Sequence, residues 1–405
     1  MHLQYFVRRK REKAMFNSIK LKLGLMHLVH AMLPLNPRKV VFCSFSGGSY
    51  SDNPKAISEH LHVMDPSIEQ IWLFNNPEQK RTLVPSYLKI AKRWSLRAVY
   101  ELATARIWVF NDTQPYWAYK GKNQIYIQTW HGDRGFKKIL NDCNPRSKKN
   151  QLPETTTCDL TLAGSDFAES VFRSAFRYTG EILKTGTPRN DKLVHIDKES
   201  VNQTKRMLSF DPEVKYILYA PTLRRKATHS KENQEVQEFD MIAVLDALEH
   251  STGVKWNMLV RAHNKVIGLG GIPESTRIIN VSSHEDMADL LQIADILITD
   301  YSSSAGDFAL TKRPLILFQD DRESYLAHDR AFYFDLDNSP FWIAQTQAEL
   351  ISILKDLPHR DSKENCEQIL DFYKTRETGQ ASEDVCRFIV RKLDYYSIGS
   401  SQVSN

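Results

Sequence analysis

The chain has 405 residues, of which 41% are hydrophobic and 25% charged, and its formal net charge is +5. Because a single hydrophobic core stops growing at roughly 250 to 300 residues, this length predicts two domains. The five cysteines form no CxxC pair, which argues against a disulfide framework or a cysteine zinc site and favours a reducing cytoplasm. No run approaches the roughly 18 apolar residues of a membrane-spanning helix, and we predict no secretory signal.

The N-terminal segment, from Met1 to Leu35, carries the positive charge of the chain. Its seven lysines and arginines against Glu12 alone give +6, so the other residues sum to −1. Apolar side chains recur there at helical spacing beside a basic face, which favours a helix that binds an anionic membrane surface. The alternatives are packing on its own domain, a calmodulin-like partner and a nucleic acid. The apolar positions are Phe16, Ile19, Leu23, Met26, Val29 and Leu33.

The first half of the chain alternates short apolar runs with helical patterns. Such alternation predicts a mainly parallel sheet with helices on its faces. A polar break ends this half, and we place the domain boundary near Asp197. The predicted strands are 39–45, 71–74, 87–90, 107–110, 125–128, 159–163 and 181–183, with helices at about 54–63 and from Ser165 to about 176.

The sharpest motif of this half is QTWHGDRGFKK at 128–138. A strand delivers His131 to the carboxyl edge of the sheet, and Gly132 and Gly135 allow a tight turn after it. A histidine at such an edge can act as a general base, because its pKa lies near neutrality, or can donate a hydrogen bond to phosphate. The alternative is a buried histidine that holds a loop in place.

A second polar stretch, 186–191, contains Arg189 and Asp191. The planar guanidinium of an arginine can bind a phosphate through two hydrogen bonds, so Arg189 is a candidate ligand. The alternative is that Arg189 pairs with Asp191 within the turn.

The second half repeats the rhythm of strands and helices. Because the carboxyl ends of parallel strands lie at one edge of a sheet, the loops that follow them meet there. Three such loops carry basic or hydroxyl side chains, namely Arg224, Arg261 with His263, and Ser302 to Ser304. The predicted strands are 215–219, 256–260, 278–281, 296–298 and 315–318, with helices at about 239–249 and 286–293, three helical patterns from 346 to 393, a polar loop at 226–237 and a polar tail at 395–405.

The stretch from 294 to 318 reads as a strand, a serine turn, a helix and another strand. Hydroxyls and N–H groups at the start of that helix, with its positive dipole end, favour a phosphate or diphosphate. The alternative is that Ser302 or Ser303 only caps the helix. Basic loops lie beside the turn, so the simplest ligand that fits all of these groups is a diphosphate. His131 and Lys137 would face it from the first domain. This arrangement predicts group transfer from a nucleotide-activated donor.

Five motifs resemble, in order, those of the CDP-glycerol glycerophosphotransferases, which build teichoic acids and related polyol-phosphate polymers on bacterial surfaces. The motifs are QTWHG at 128–132, GTPRND at 186–191, YAPTLR at 219–224, RAH at 261–263 and the run at 289–318. The resemblance covers roughly residues 40–393. It implies an α/β fold with two Rossmann-like domains facing a cleft, of the glycosyltransferase-B type. It also implies a CDP-activated polyol phosphate as donor and a lipid-linked or polymeric acceptor at the cytoplasmic face of the bacterial membrane.

On this basis we predict four parts of the chain. These are the basic segment 1–37, an acceptor-side domain 38–196, a nucleotide-donor domain 197–378, and a C-terminal helix with a polar tail at 379–405.

The resemblance also implies roles for single residues. The two essential histidines of the family fall on His131, which we take as the general base, and on His263. Arg261 and the serine turn would stabilise charge on the diphosphate as CMP departs. The weaker phosphate candidates are Arg224 and Arg313, and the supporting residues are Gly132, Arg189 and Asp300, the last by ordering the serine turn.

The match departs from the family after the histidine motif. The family commonly has Thr-Pro and a leucine before its lysines, whereas this chain has Asp133, Arg134, Gly135 and Phe136. Because this loop borders the acceptor side, we assign Asp133, Arg134 and Lys137 to the acceptor. The choice of polyol, the acceptor and primase or polymerase activity stay open.

Two other functions remain open from the sequence. A sugar-nucleotide glycosyltransferase of the same fold, for example one using a UDP-sugar, would need the same diphosphate contacts. An inactive membrane-associated scaffold that binds polyanions would keep the fold and the basic segment. We predict no nucleic-acid partner, because the basic excess is confined to the N-terminal segment. No carboxylates have the spacing of metal ligands, so we predict neither a metal nor another cofactor.

Overall fold

The computed structural model describes residues 2–144, 152, 154–222, 239–262 and 275–401. The elements of the first half are α1 His2–Met32, β1 Asn36–Cys43, α2 Asp52–Met64, β2 Glu69–Phe74, α3 Pro77–Lys80, β3 Lys89–Lys92, α4 Leu96–Thr104, β4 Ala105–Phe110, β5 Ile125–Gln128, α5 Leu140–Cys143, α6 Glu154–Thr157, β6 Leu160–Leu162, α7 Asp166–Ser174, β7 Glu181–Leu183, α8 Asp191–Val194 and α9 Lys198–Met207. Those of the second half are β8 Lys215–Ala220, α10 Met241–Thr252, β9 Trp256–Val260, β10 Ile278–Asn280, α11 Met287–Ile293, β11 Ile296–Thr299, α12 Ser304–Phe308, β12 Leu315–Phe318, α13 Arg322–His328, β13 Trp342–Ala344, α14 Gln347–Lys355, α15 Ser362–Phe372 and α16 Ala381–Ser401.

Each half contains one parallel sheet. The first has seven strands in the order β3-β2-β1-β4-β5-β6-β7, and the second has six in the order β10-β9-β8-β11-β12-β13. The strand order reverses between β1 and β4 in the first sheet and between β8 and β11 in the second. Ligands bind at such reversals, beyond the carboxyl ends of the strands, because neighbouring connections diverge there and leave a crevice. The two parallel sheets confirm the predicted α/β fold.

The continuous apolar runs are explained by sheets that are covered on both faces. All six residues of β4 are buried. Phe42 of β1 lies opposite Trp72 of β2, and their rings stack at a centroid distance of 5.6 Å. Ser165 caps α7 as predicted, because its hydroxyl accepts a hydrogen bond from the N–H of Ala168 at 3.0 Å.

The last helix of the chain returns to the first sheet. α16 packs against α2 and β1, and its Ile389 and Leu393 are fully buried in the core of that sheet. Asp191 holds the start of α16, since its carboxylate accepts hydrogen bonds from the first two N–H groups of the helix at 2.9 and 2.7 Å. The prediction of a polar tail from residue 395 is wrong for residues 395–401, because α16 continues to Ser401.

Part of the predicted apolar stripe of α1 packs on the protein itself. Met26 is fully buried in the core beside β1 and β4, and Ile19 and Val29 pack against the same core. For these positions the packed alternative is correct. None of the helices in the described ranges is both long enough and apolar enough to cross a membrane.

Two elements of the second half were not predicted. β13 has three residues and α13 has seven, so neither is long enough to give a clear apolar period. The strand predicted at 87–90 forms two residues later, at Lys89–Lys92. The predicted polar loop 226–237 lies outside the described residues.

Candidate active site between the two sheets

A cleft of about 960 Å³ lies between the carboxyl edges of the two sheets. Loops that follow strands of both sheets line it. Among the residues selected from sequence, the cleft brings together His131, Lys137, Arg189, Arg261, Ser302, Ser303 and Ser304. His263 and Arg224 lie outside the described residues, so their placement stays a prediction.

The backbone around His131 is held by side chains of the first domain. Trp130 has a φ of 52°, in the left-handed region. Its N–H donates to Gln128 Oε1 at 2.9 Å, and its carbonyl accepts a hydrogen bond from Asn53 Nδ2 at 3.1 Å. These bonds fix the turn from which the histidine side chain leaves.

The imidazole of His131 is held by a hydrogen bond to the backbone. Its Nδ1 lies 2.7 Å from the backbone oxygen of Asn111. Because a carbonyl oxygen only accepts hydrogen bonds, Nδ1 carries a proton, and in the neutral form of the ring the lone pair is on Nε2. The rings of Trp130 and Phe45 pack against the imidazole at centroid distances of 4.2 and 5.3 Å. These contacts fix the orientation of the ring, and in this orientation a neutral imidazole can accept a proton at Nε2.

Asp300, just before the serine turn, links the end of β11 to the loop after β8. Its fully buried carboxylate accepts hydrogen bonds from the N–H of Thr222 at 2.9 and 3.0 Å, from the Thr222 hydroxyl at 3.1 Å and from the N–H of Tyr301. Ser302 Oγ accepts from the N–H and the hydroxyl of Ser304, at 3.2 and 2.9 Å. Neither of these bonds uses the hydroxyl proton of Ser302, which can be donated to a ligand.

The serine turn touches the loop that carries His131. A Cβ added at Gly132 would lie 3.3 Å from Ser303 Oγ, and one added at Gly135 would lie 3.2 Å from Ser303 Cβ. A side chain at either glycine would therefore require Ser303 to shift by a few tenths of an ångström. The candidate base and the candidate anion site belong to different sheets but form one wall of the cleft.

Two basic side chains line the cleft near this contact. Arg261 is half-buried and donates to the backbone oxygen of Glu285 at 3.3 Å. Burial lowers the pKa of Arg261, and Asp286 and Asp289 oppose that shift. A desolvated guanidinium gains from a bound anion, so this position suits a phosphate. Lys137 pairs with Phe332 of the second half through a backbone bridge.

The acceptor-side assignment of Asp133 and Arg134 is wrong, because both side chains are buried away from the cleft. Arg134 is 0% exposed and donates to Asp133, Glu377 and Asp307 at 3.0, 2.8 and 2.8 Å. It also donates to the backbone oxygen of Gly306 at 3.1 Å. The guanidinium therefore links the histidine loop to α12, the helix that follows the serine turn.

Arg189 joins the same group of charges. It donates to Asp307 Oδ2 through Nη2 and Nε, at 3.0 and 3.2 Å, rather than pairing with Asp191. We call Asp133, Arg134, Arg189, Asp307 and Glu377 the buried joint. Arg189 is part of this joint and also lines the cleft, so its supporting role stays a prediction.

Arg313 is not a phosphate contact. Its guanidinium donates to the backbone oxygens of Gln292 and Ala294 at 2.7 and 2.8 Å, at the end of α11. It lies outside the lining of the cleft. The basic side chain there satisfies carbonyl groups that the helix leaves unpaired.

Several supporting residues had no signal in the sequence. Asn53 and Asn111 hold the turn and the ring of His131, and Glu377 accepts from Arg134 and from the N–H of Thr187 at 2.9 Å. Asn111 follows β4 directly, at the reversal of strand order, so the sheet topology would have identified it.

Comparison with known proteins places the chain in a family. The family model described as CDP-Glycerol:Poly(glycerophosphate) glycerophosphotransferase matches residues 25–391.

Curated relatives agree with this match. A teichoic acid poly(glycerol phosphate) polymerase of Bacillus spizizenii is 30% identical over 375 residues, which are 89% of this chain and 94% of the relative. A teichoic acid glycerol-phosphate transferase of Staphylococcus aureus is 33% identical over 376 residues, 88% of this chain and 94% of the relative. The chain also spans 50% of the length of a longer Staphylococcus epidermidis polymerase, with 33% identity over 367 residues.

A solved structure of the wall teichoic acid polymerase TagF has a TM-score of 0.82 and 30% identity, covering 97% of this chain and 98% of that one. A variant of TagF soaked with CDPG has a TM-score of 0.81 and 29% identity, with the same coverage. The chain therefore belongs to the CDP-glycerol:poly(glycerophosphate) glycerophosphotransferase family, which confirms the family and the enzyme class predicted from the five motifs.

Proposed function

We propose that the protein transfers glycerol phosphate from CDP-glycerol to a hydroxyl of a lipid-linked or polymeric acceptor, with release of CMP, in the synthesis of teichoic acid or a related surface polymer. Family membership supports the donor and the reaction class. The observation that carries the proposal is the close packing of Gly132, next to His131, on Ser303, since a Cβ added at Gly132 would lie only 3.3 Å from Ser303 Oγ. A base from one sheet and an anion-binding turn from the other thus face one cleft.

In the proposed step, His131 Nε2 takes the proton of the acceptor hydroxyl. The oxygen of that hydroxyl bonds to the phosphorus on the glycerol side of the diphosphate. The bond from this phosphorus to the bridging oxygen breaks, and the bridging oxygen leaves with CMP. The serine turn and Arg261 stabilise the negative charge that grows on the diphosphate, with His263 and Arg224 as further contacts.

The arrangement of the sheets supports a glycosyltransferase-B type organisation, in which one domain binds the donor and the other binds the acceptor. The serine turn and Arg261 follow strands of the second sheet, so we assign residues 197–378 to the donor. His131 follows a strand of the first sheet, so we assign 38–196, with Lys137, to the acceptor. We group the C-terminal part, 379–405, with the first sheet, because α16 packs into the core of that sheet.

The donor is tested by incubating the full chain and a defined lipid-linked primer with CDP-glycerol, CDP-ribitol or a UDP-sugar. We expect CMP release with CDP-glycerol and a product heavier by glycerol phosphate units, whose number distinguishes a primase from a polymerase. The activity should survive a chelator, because basic side chains and a helix terminus neutralise the diphosphate. Transfer from the UDP-sugar alone would contradict the proposal, and so would full activity of His131→Ala.

For α1 we propose peripheral binding to the cytoplasmic face of the cell membrane. Leu21, Leu28 and Met32 are 66%, 53% and 70% exposed. At about 100° per residue they share one helix face, which points about 140° away from the buried Met26. The basic run 8–13 precedes this face in the helix. Exposed apolar side chains beside basic ones suit an anionic lipid surface.

Vesicle sedimentation tests the membrane proposal. We expect the triple variant Leu21→Glu, Leu28→Glu and Met32→Glu to lose most binding to vesicles of phosphatidylglycerol and phosphatidylcholine, while CMP release with a soluble acceptor stays unchanged. Val63→Glu is the matched control, because Val63 is an exposed helical residue of α2. Undiminished sedimentation of the triple variant would rule this face out.

A further inference from the structure

Asp52 lies in the wall of the cleft, at a place fixed relative to the candidate base. It is the first residue of α2. The next residue, Asn53, donates to the backbone oxygen of Trp130 at 3.1 Å, and Trp130 precedes His131. Asn53 Oδ1 also accepts the N–H of Arg189 at 3.0 Å. These bonds hold the start of α2 against the turn that carries His131.

The backbone of Asp52 is strained. Its φ of 65° lies in the left-handed region, where a residue with a Cβ is disfavoured and glycine is not. The helix itself does not require this conformation, because most helices begin without it. Strained residues persist where the surrounding structure holds them, and they concentrate at functional sites. The strain therefore marks Asp52 as a candidate functional residue.

Asp52 differs from its neighbours in how its charge is compensated. Three other carboxylates of the cleft are bound by basic side chains, Glu285 by Lys80, Asp286 by Lys55 and Asp307 by Arg189. The Oδ1 of Asp52 lies 3.6 Å from Arg189 Nη1, and that nitrogen has no hydrogen-bond partner within the described part of the chain. The Asp52 carboxylate accepts a hydrogen bond from the N–H of Asn53 at 2.7 Å but none from the cation beside it.

The chemistry of a carboxylate limits what it can bind here. An ionised carboxylate only accepts hydrogen bonds and repels phosphate oxygens. In a cleft that holds a diphosphate, its suitable partner is an uncharged donor such as a hydroxyl. A polyol acceptor presents hydroxyls on adjacent carbons, and His131 uses one of them.

We infer that Asp52 binds the acceptor by accepting a hydrogen bond from the hydroxyl next to the one that attacks. The inference rests on the proposed function and deepens it by naming a polyol with adjacent hydroxyls as the acceptor terminus. Holding the second hydroxyl orients the attacking oxygen toward the donor phosphorus. The proton of the attacking hydroxyl still passes to His131 Nε2.

The test changes enzyme and acceptor in turn. The probes are a soluble primer analogue that ends in glycerol phosphate and its deoxy form, in which hydrogen replaces the hydroxyl beside the attacking one. With CDP-glycerol, we expect Asp52→Gly to lower kcat/KM about 10- to 100-fold for the diol primer, the size expected for a lost hydrogen bond to a charged group. With the deoxy primer, kcat/KM of the wild type should fall by a similar factor. When Asp52→Gly is combined with the deoxy primer, the total loss should be about that of either change alone.

Stability separates this role from a structural one. Glycine relieves the left-handed strain, so we expect Asp52→Gly to unfold within a few degrees of the wild type. Asp361→Gly, at the start of α15 and away from the cleft, is the matched control and should leave kcat/KM unchanged. Equal losses with both primers would overturn the inference while the proposed function stands. Absence of CMP release by the wild type with either primer would overturn both.

Discussion

Among the ion pairs that join the two halves in the described part of the chain, two groups at or near the cleft differ in burial. Side chains of the buried joint are at most 7% exposed. A second group, which we call the rim pairs, lies at the edge of the cleft with side chains 10 to 36% exposed. The rim pairs are Lys55 with Asp286, Lys80 with Glu285 and Lys192 with Asp289.

The difference in burial separates two roles. Charges removed from water cost free energy that only well-placed partners return, so each member of the buried joint depends on the others. Partly exposed pairs are screened by water and salt and contribute about 0 to 1 kcal/mol. We expect the buried joint to hold His131 against the serine turn, and the rim pairs to add little.

Removing the central arginine should have the largest effect. Arg134→Gln leaves Asp133, Asp307 and Glu377 buried without the cation they share. We expect the free energy of unfolding to fall by about 3 to 5 kcal/mol in urea, with loss of CMP release. Arg277→Gln, which breaks two partly exposed ion pairs, is the control and should cost less than about 1 kcal/mol. A similar loss in both variants would erase the proposed difference between buried and exposed pairs.

The next effect depends on pH. Burial alone would raise the pKa of Asp307, but Arg189 and Arg134 outweigh it and hold the pKa below its ordinary value. An ionised Asp307 therefore stabilises the fold above the unfolded pKa of about 3.9, and this stabilisation is lost as pH falls through the lower folded pKa.

Asp307→Asn should accordingly lower the free energy of unfolding by about 2 to 4 kcal/mol at pH 7. The difference from the wild type should narrow below about pH 4, where Asp307 becomes protonated in the unfolded chain but is still ionised in the folded protein. Unfolding in urea from pH 3 to 7 measures both quantities. A difference that stays constant over this range would show that the charge of Asp307 is not what stabilises the joint.

A smaller change probes the contact that the buried joint maintains. The Cβ of Gly132→Ala would push on Ser303, so we expect kcat/KM to fall about 3- to 10-fold at nearly unchanged unfolding temperature. Gly24→Ala is the control, because a Cβ at Gly24 meets nothing within 4 Å. An alanine at Gly132 with full activity would mean that the two loops need not lie so close.

The smallest effect is expected at the rim. Lys192, 36% exposed, contacts Asp289 at 2.5 Å. Lys192→Gln should lower the free energy of unfolding by less than about 1 kcal/mol, and the loss should shrink as salt rises toward about 1 M. A loss as large as that of Arg134→Gln, and insensitive to salt, would show that the rim pairs contribute as much to the free energy of unfolding as the buried joint.

Sequence reasoning succeeded where the signal was local. Apolar runs between helical patterns predicted both parallel sheets, and the motifs at strand ends placed His131, Arg261 and the serine turn at the edges that meet in the cleft. It failed for Asp133 and Arg134, because a charged pair after a histidine motif looks the same in a sequence whether it faces solvent, substrate or a buried partner.

The sequence by itself determined the fold class, the family and the residues that end each strand, since alternation and motif spacing are properties of neighbouring residues. Only the tertiary structure decided which charges are buried and against what. Arg134 meets Asp307, which lies 173 positions further along the chain, and Met26 turns from the expected membrane face into the core. The energy of a charge or an apolar side chain depends on its surroundings, and those are assembled from distant parts of the chain.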